Sequence, residues 1–221
     1  IRDKIDKSLE KNTSNKYFFG KDFNIARSEN GFIQYQDHLG ELVLPEPSIL
    51  GDHQLYNVST SIAASRKIFN IKDEHIIKGV KNISLKGRLE EINSGKLKDI
   101  AGNNKLVIDG GHNISASLSI ANWVKNQNEE ANLIVGMMKD KEHVEFIKAF
   151  ENIVNSITLI DIPNQDGAIS KEDFKKKLDN SKLNLKLSNG IEESIKSLSK
   201  NEKTIILCVG SLYLAGEILS L

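Results

Sequence analysis

Between Asp109 and Asn113 the chain reads Asp-Gly-Gly-His-Asn, with a carboxylate and an imidazole on either side of two glycines. An Asp at the end of a strand is well placed to accept hydrogen bonds from ribose hydroxyls, so Asp109 and His112 are the first candidate site residues. The same pattern also serves as an ordinary turn, since Asp and Gly are common turn formers. What decides between the two is the set of elements and motifs around it.

Leu106, Val107 and Ile108 make an uninterrupted apolar run with two β-branched residues, which predicts a strand buried on both faces and broken by Gly110 and Gly111. Asn113 can cap a helix whose apolar positions Ile114, Leu118, Ala121 and Val124 recur at helical spacing. Ligands of open α/β sheets bind outside the carboxyl ends of the strands, where loops and helix N-termini converge. The order strand, carboxylate, glycine turn, helix fits such a site.

The chain has 221 residues, 39% of them hydrophobic, enough for a real core in one or two domains. Its 30 basic and 30 acidic residues cancel, so no global field favours nucleic acid or an anionic membrane, and a small-molecule site is the default. Lys175, Lys176 and Lys177 read as a solvated helix face. The single cysteine, Cys208, lies in an apolar run and reads as a core residue. No disulfide pair, no long apolar span and no leader pattern are expected of a cytoplasmic protein. The sequence opens at Ile1 inside a charged helical pattern, as expected of a fragment. No P-loop motif is present and no Gly-x-Gly-x-x-Gly follows a strand, which disfavours P-loop triphosphate wrapping and dinucleotide binding. The five histidines are scattered, so no metal site is expected, and His38, His75 and His143 read as surface residues.

Residues 17–44 alternate short β-type runs with turns, and Asn30-Gly31 is a hairpin signal, predicting an antiparallel meander of three or four strands. If such a meander is normally covered by a missing half, Phe18, Phe19 and Phe23 are left open to water. A helix follows through Phe69 and a second over about 72–80, opened by Asp73. From Gly87 the pattern changes. Strands are predicted at 88–92, 105–108, 132–136, 156–161, 183–187 and 204–209, with helices near 114–126, 141–152, 170–179, 190–199 and 211–219. Strict alternation implies right-handed crossovers and a Rossmann-like, six-stranded, mostly parallel sheet flanked by helices. The expected domains are 1–84 and 85–221, and the loops holding Asp109–His112, Gly136–Lys141 and Gly210-Ser211 should collect at one edge of the second.

Five motifs stand in order: Gly51-Asp52-His53-Gln54-Leu55-Tyr56-Asn57, Gly87-Arg88-Leu89-Glu90, Asp109-Gly110-Gly111-His112-Asn113, Gly136-Met137-Met138-Lys139-Asp140-Lys141 and Gly210-Ser211-Leu212-Tyr213. In this order the chain resembles the latter half of folylpolyglutamate synthase/dihydrofolate synthase, a family of the Mur-ligase superfamily of ATP-dependent amide-forming enzymes. The Gly-x-His-Gln-x-x-Asn and Gly-Arg-Leu-Glu runs are more like the folate enzymes than the peptidoglycan ligases. The family's usual Asp-Gly-Ala-His-Asn-Pro is altered here, with Gly111 in place of Ala and Ile114 in place of Pro.

The resemblance implies that ATP phosphorylates the carboxylate of dihydropteroate or a folate and that L-glutamate then attacks the acyl phosphate. It implies Asn57 at adenine, Asp109 at the ribose, His112 beside the nucleotide and Arg88 at the terminal phosphates, where a fixed cationic fork suits spread charge. Lys141 with Asp140 would stand near the phosphate and the incoming glutamate, making Arg88 and Lys141 the catalytic candidates. Ser211 would bind glutamate's carboxylate at a helix N-terminus. For Arg88 a surface ion pair with Glu90 or Glu91 stays open, for Lys141 a solvated helix start, and for Ser211 a plain N-cap. The P-loop and Mg²⁺ ligands of the family lie in an N-terminal portion absent here, so residues 1–84 are expected to be the tail of the central domain. The fragment alone is expected to be inactive and the full-length enzyme a monomer. Another Mur-type amino-acid ligase, such as a peptidoglycan enzyme, and a non-catalytic nucleotide- or carboxylate-binding module are the alternatives.

Overall fold

The computed structural model describes residues 9, 16–28, 30–49, 51, 53–178, 183–200 and 203–221. The charged pattern at the start of the chain and Asp52 of the first motif lie outside the described residues. The chain divides into two compact units, Ile1–Ser48 with Gln54–Ile83, and Ile49–His53 with Ser84–Leu221.

In the first unit β1 (Phe23–Arg27), β2 (Ile33–Asp37) and β3 (Gly40–Leu44) form an antiparallel sheet in the order β1-β2-β3. Alternation along each strand puts Phe23 and Ile25, Ile33 and Tyr35, and Leu42 and Leu44 on the buried face. Two expectations change here. Tyr17–Phe19 forms no strand, contributing only an isolated bridge from Phe19 to Phe23. Phe23 is buried because the β1 alternation turns it inward, whereas Phe18 and Phe19 are exposed as expected. Helices α1 (His53–Ile68) and α2 (Asp73–Lys81) bury Val58 and Ile62, and Ile76 and Val80. Arg66 on α1 reaches Asp37 at the end of β2 at 3.0 Å, both side chains being 4% exposed, and also bonds Asp73 at the start of α2. The Tyr35 hydroxyl donates to the same Asp37 carboxylate.

The second unit is a six-stranded sheet of β4 (Glu90–Ile92), β5 (Lys105–Asp109), β6 (Ala131–Val135), β7 (Ser156–Leu159), β8 (Leu185–Leu187) and β9 (Ile205–Val209). The strand order is β4-β5-β9-β6-β7-β8, with β4 antiparallel to β5 and every other pair parallel. One face carries Val107, Leu133, Leu159 and Leu207 against α4 (Ile114–Lys125), α5 (His143–Lys148) and α6 (Lys171–Lys177). The other carries Leu106, Ile134, Ile206 and Cys208 against α3 (Lys96–Ala101), α7 (Ile191–Leu198) and α8 (Leu212–Ser220). The central strands β5, β9 and β6 are apolar at most positions because both of their faces are covered, as parallel sheets require, whereas the edge strands β4 and β8 are partly exposed.

Asn113 caps α4 by accepting from the Ala116 N–H, but the buried positions are Ser117, Ile120, Ala121 and Val124, and Leu118 faces solvent. Helix α3 was not foreseen, being only six residues long. At the foot of the sheet the Asn104 side chain accepts from the Thr204 N–H and hydroxyl at 2.9 and 3.0 Å, pinning the start of β5 to the start of β9.

Candidate active site

The register aligns Asp109 and Val135 with the same residue, Val209, so three neighbouring strands end level. Each is followed by a glycine, Gly110, Gly136 or Gly210. These backbones approach too closely for side chains. A Cβ on Gly210, whose φ is +108°, would stand 2.7 Å from the Gly136 carbonyl oxygen, and one on Gly110 would run into the Leu212 side chain. The loops are also stitched by backbone bonds, Gly110 N–H to the Gly87 carbonyl at 2.9 Å and Gly210 N–H to the Gly111 carbonyl at 3.0 Å.

Asp109 lies inside this stitching. It is 4% exposed; one carboxylate oxygen accepts from the Leu89 N–H at 2.9 Å and the other from the Gly111 N–H at 2.6 Å. Leu89 is itself buried and held at φ +44°, a left-handed conformation that β-carbon residues adopt at a cost. The carboxylate thus ties the turn carrying Arg88 to the turn carrying His112. A ribose hydroxyl would have to share lone pairs already engaged by backbone donors.

Arg88 is half-buried, and its Nη1 donates to the Gly87 carbonyl at 3.1 Å, over Gly110. Glu90 does not pair with it. The Glu90 carboxylate accepts instead from the Gly87 N–H at 2.7 Å and from Lys86 Nζ at 2.7 Å, closing the turn from which Arg88 projects. The His112 ring sets Nδ1 3.0 Å from the Gly110 carbonyl, which can only accept; Nδ1 therefore carries the proton and Nε2 is left to meet a ligand.

Asp140 and Lys141 form a neighbouring ion pair at 2.9 Å on the loop after β6. The Lys141 hydrogen bond holds the Asp140 carboxyl below its ordinary value, and the nearby His112 charge acts in the same direction. Ser211 is 3% exposed and caps α8, its hydroxyl oxygen accepting from the Tyr213 N–H at 3.1 Å. Its O–H proton can still be given to an acceptor. Asn57 belongs to the first unit. It is exposed on α1 and donates to the Gln54 side chain at 2.9 Å, and Gln54 is buried. Arg88, Asp109, His112, Asp140, Lys141 and Ser211 all hang from the carboxyl edge of one sheet.

His143 is a correction. It is 3% exposed rather than a surface residue, packed edge-on to Phe174 with ring centroids 5.0 Å apart, because α6 folds over it. Neither this nor the anchoring of Leu89 by Asp109 was foreseen. Glu90 was at least visible as the last residue of the Gly-Arg-Leu-Glu run. Among the described residues no group of three or more His, Cys, Asp or Glu side chains could hold a metal ion, and no helix is long and apolar enough to cross a membrane.

The family model described as dihydrofolate synthetase, C-terminal domain, matches residues 94–221. A Schizosaccharomyces pombe protein named "Probable dihydrofolate synthetase" is 24% identical over 224 residues, covering 95% of this chain and 52% of its own length. The crystal structure of the bifunctional folylpolyglutamate synthase/dihydrofolate synthase from Yersinia pestis CO92 superposes with a TM-score of 0.79 at 18% identity, covering 99% of this chain and 50% of that one. A second structure of a bifunctional enzyme of this name, with Mn, AMPPNP and L-glutamate bound, gives 0.78 at 18% identity over the same shares. The chain thus spans about half the length of these relatives, and the solved structures share its fold. With the family model covering more than half of its residues, including β5 to α8 and the loops between them, this chain belongs to the dihydrofolate synthetase C-terminal domain family.

Proposed function

We propose that this chain is the glutamate- and nucleotide-closing part of a longer ATP-dependent ligase that joins L-glutamate to dihydropteroate or a folate. The observation that carries the proposal is the level carboxyl edge where Arg88, His112, Ser211 and the Asp140-Lys141 pair hang from glycine turns, with Asp109 tying the Arg88 turn to the His112 turn and backbone bonds holding the others. Family membership and the nucleotide analogue, manganese and L-glutamate bound to a structural relative support it.

In the reaction a substrate carboxylate oxygen attacks the γ-phosphorus of ATP, the bond to the β-phosphate oxygen breaks and ADP leaves. The glutamate amine then attacks the acyl carbon, the carbon–oxygen bond to phosphate breaks, phosphate leaves and the amine gives up a proton. Catalysis of such steps is mainly positioning and charge stabilisation. Arg88, tethered through one guanidinium nitrogen, offers its remaining donors to the terminal phosphates. Lys141 supplies positive charge for the acyl phosphate and the incoming amino acid, oriented by Asp140. Ser211 donates to a glutamate carboxylate at the first turn of α8. Asp109 orients Arg88 and His112 and would share its engaged carboxylate oxygens with the ribose, and Asn57 meets adenine. Magnesium has no fitting ligand set among the described residues, so none of them is assigned to it. Residues 1–84 are read as the end of the central domain of the ligase and 85–221 as its C-terminal domain, in a monomeric cytoplasmic enzyme.

The test is ADP release by the full-length protein with L-glutamate and, in turn, dihydropteroate, reduced folates and muramyl nucleotides. Turnover with a pteroate or folate is expected. Turnover only with muramyl nucleotides, or nucleotide binding without turnover, would replace the proposal. The 221-residue chain alone should not turn over.

A further inference from the structure

The loop that carries Asp140 and Lys141 is held from two sides. On one, Lys139 N–H donates to the Gly167 carbonyl at 2.8 Å and Ile169 N–H to the Met137 carbonyl at 3.0 Å. On the other stands His143, with Nε2 3.0 Å from the Met138 carbonyl and Nδ1 3.2 Å from Lys177 Nζ on α6. The carbonyl can only accept and the ammonium can only donate, so the two partners together select one state of the ring, neutral with its proton on Nε2.

We propose that His143 is a positioning residue, whose neutral imidazole ties the loop bearing Asp140 and Lys141 to α6 and so sets where Lys141 stands for the incoming amino acid. The role in the reaction rests on the ligase reading; the tie itself does not. A proton added to Nδ1 would face the Lys177 ammonium and break the tie. Burial, and then the Lys177 charge, lower the His143 pKa from its ordinary value. The Met138 carbonyl, Asp140 and Glu145 oppose them. These are the charged groups that meet the ring: Lys177 from α6, Asp140 from the loop and Glu145 from its own helix.

Nitrogen NMR of the chain at neutral pH should find the His143 proton on Nε2. His143→Gln places an amide donor against the Met138 carbonyl and should keep hydrogen-exchange protection at the Lys139 and Lys141 amides, which His143→Leu should lose by about 10-fold or more. In the full-length protein, His143→Leu should raise the glutamate KM by about 10- to 100-fold, the cost of misplacing a positioned group, with the ATP KM unchanged. The acid limb of kcat/KM for glutamate should move to higher pH in Lys177→Met and vanish in His143→Gln. A purely structural histidine would lower thermal stability without moving the limb or separating the two KM values, and that result overturns the proposal. So does a proton on Nδ1, or wild-type protection at Lys139 and Lys141 in His143→Leu. If the leucine variant does not fold, His143→Gln and Lys177→Met decide through the pH limb. A wild-type protein with no glutamate-dependent turnover would sink the ligase reading, and the NMR and exchange results on the chain would still decide the tie.

Discussion

Replacing Asp109 with Ala removes the acceptor for two backbone donors at once, Leu89 N–H at 2.9 Å and Gly111 N–H at 2.6 Å. Hydrogen bonds to a charged partner contribute about 1.5–3 kcal/mol each. Leu89 is fully buried, so its N–H gains no water in exchange, whereas Gly111 is half-buried and recovers part of its loss. The net cost should be about 2–5 kcal/mol, which for a chain of this size lowers Tm by about 5–15 °C. Asp109→Asn keeps one acceptor oxygen and should lose roughly half as much. There is a kinetic counterpart. Without its anchor, Leu89 can leave its left-handed conformation and carry Arg88 away from Gly110, so kcat of the full-length enzyme should fall by about 10²-fold, in step with Arg88→Ala. Calorimetry on the chain and steady-state kinetics on the longer protein test both parts. A Tm within about 1 °C of wild type, with only ATP affinity weakened, would mean that the carboxylate serves the ribose and not the loops, and would refute the reasoning.

Gly210→Ala, forced against the Gly136 carbonyl oxygen at φ +108°, should cost at least about 2 kcal/mol; an unchanged melting curve would contradict the close packing of the three turns. Arg66→Leu takes the cation from the Asp37 carboxylate, only 4% exposed, and leaves it the Tyr35 hydroxyl, so it should destabilise the first unit by about 3 kcal/mol, read as lost amide protection in β2 and α1. The Cys208 thiol, pushed up to about 12 by complete burial, should stay unmodified by a thiol reagent at pH 8 until guanidinium unfolds the chain. His143 bears on stability as well as positioning. Its folded pKa lies below the ordinary 6.5, so the unfolded state takes up its proton first, and the contribution is complete above 6.5 and falls away as pH drops through the folded value. His143→Gln should flatten that acid-side decline in chemical denaturation.

How much of this was legible follows from how far apart in sequence the partners lie. The β5 strand, its glycine turn and the Asn113 cap are local features, and the sequence alone places them. Alternation of apolar runs and helical spacing likewise yields the parallel sheet, since the central strands β5 and β9 read as apolar runs. On α4 the apolar spacing points to Leu118, yet the fold buries Ser117 and Ile120 instead, because Ser117 satisfies its hydroxyl on the Ile114 carbonyl and can turn inward. Asp109 could be named as a site residue but not as an anchor, because its partner Leu89 lies 20 residues away. His143 stood next to Asp140, Lys141 and Glu142 in the sequence, a polar setting that reads as surface; only α6, some thirty residues further on, covers it.

The placement of β9 between β5 and β6 governs how the second unit can be made. During synthesis β4 and β5 leave the ribosome first and β6, β7 and β8 later, and the two groups have no strand pairing with each other. They remain separate half-sheets, each with an apolar edge, until β9 emerges and bonds to both. The Asn104–Thr204 contact, across 100 residues, therefore forms only once β9 has been made. Loop closure over that distance is slow compared with forming the local helices. Nascent chains stalled before Ile205 should consequently be held by chaperones and cut by proteases, and emergence of β9 should convert both halves to a resistant sheet in one step.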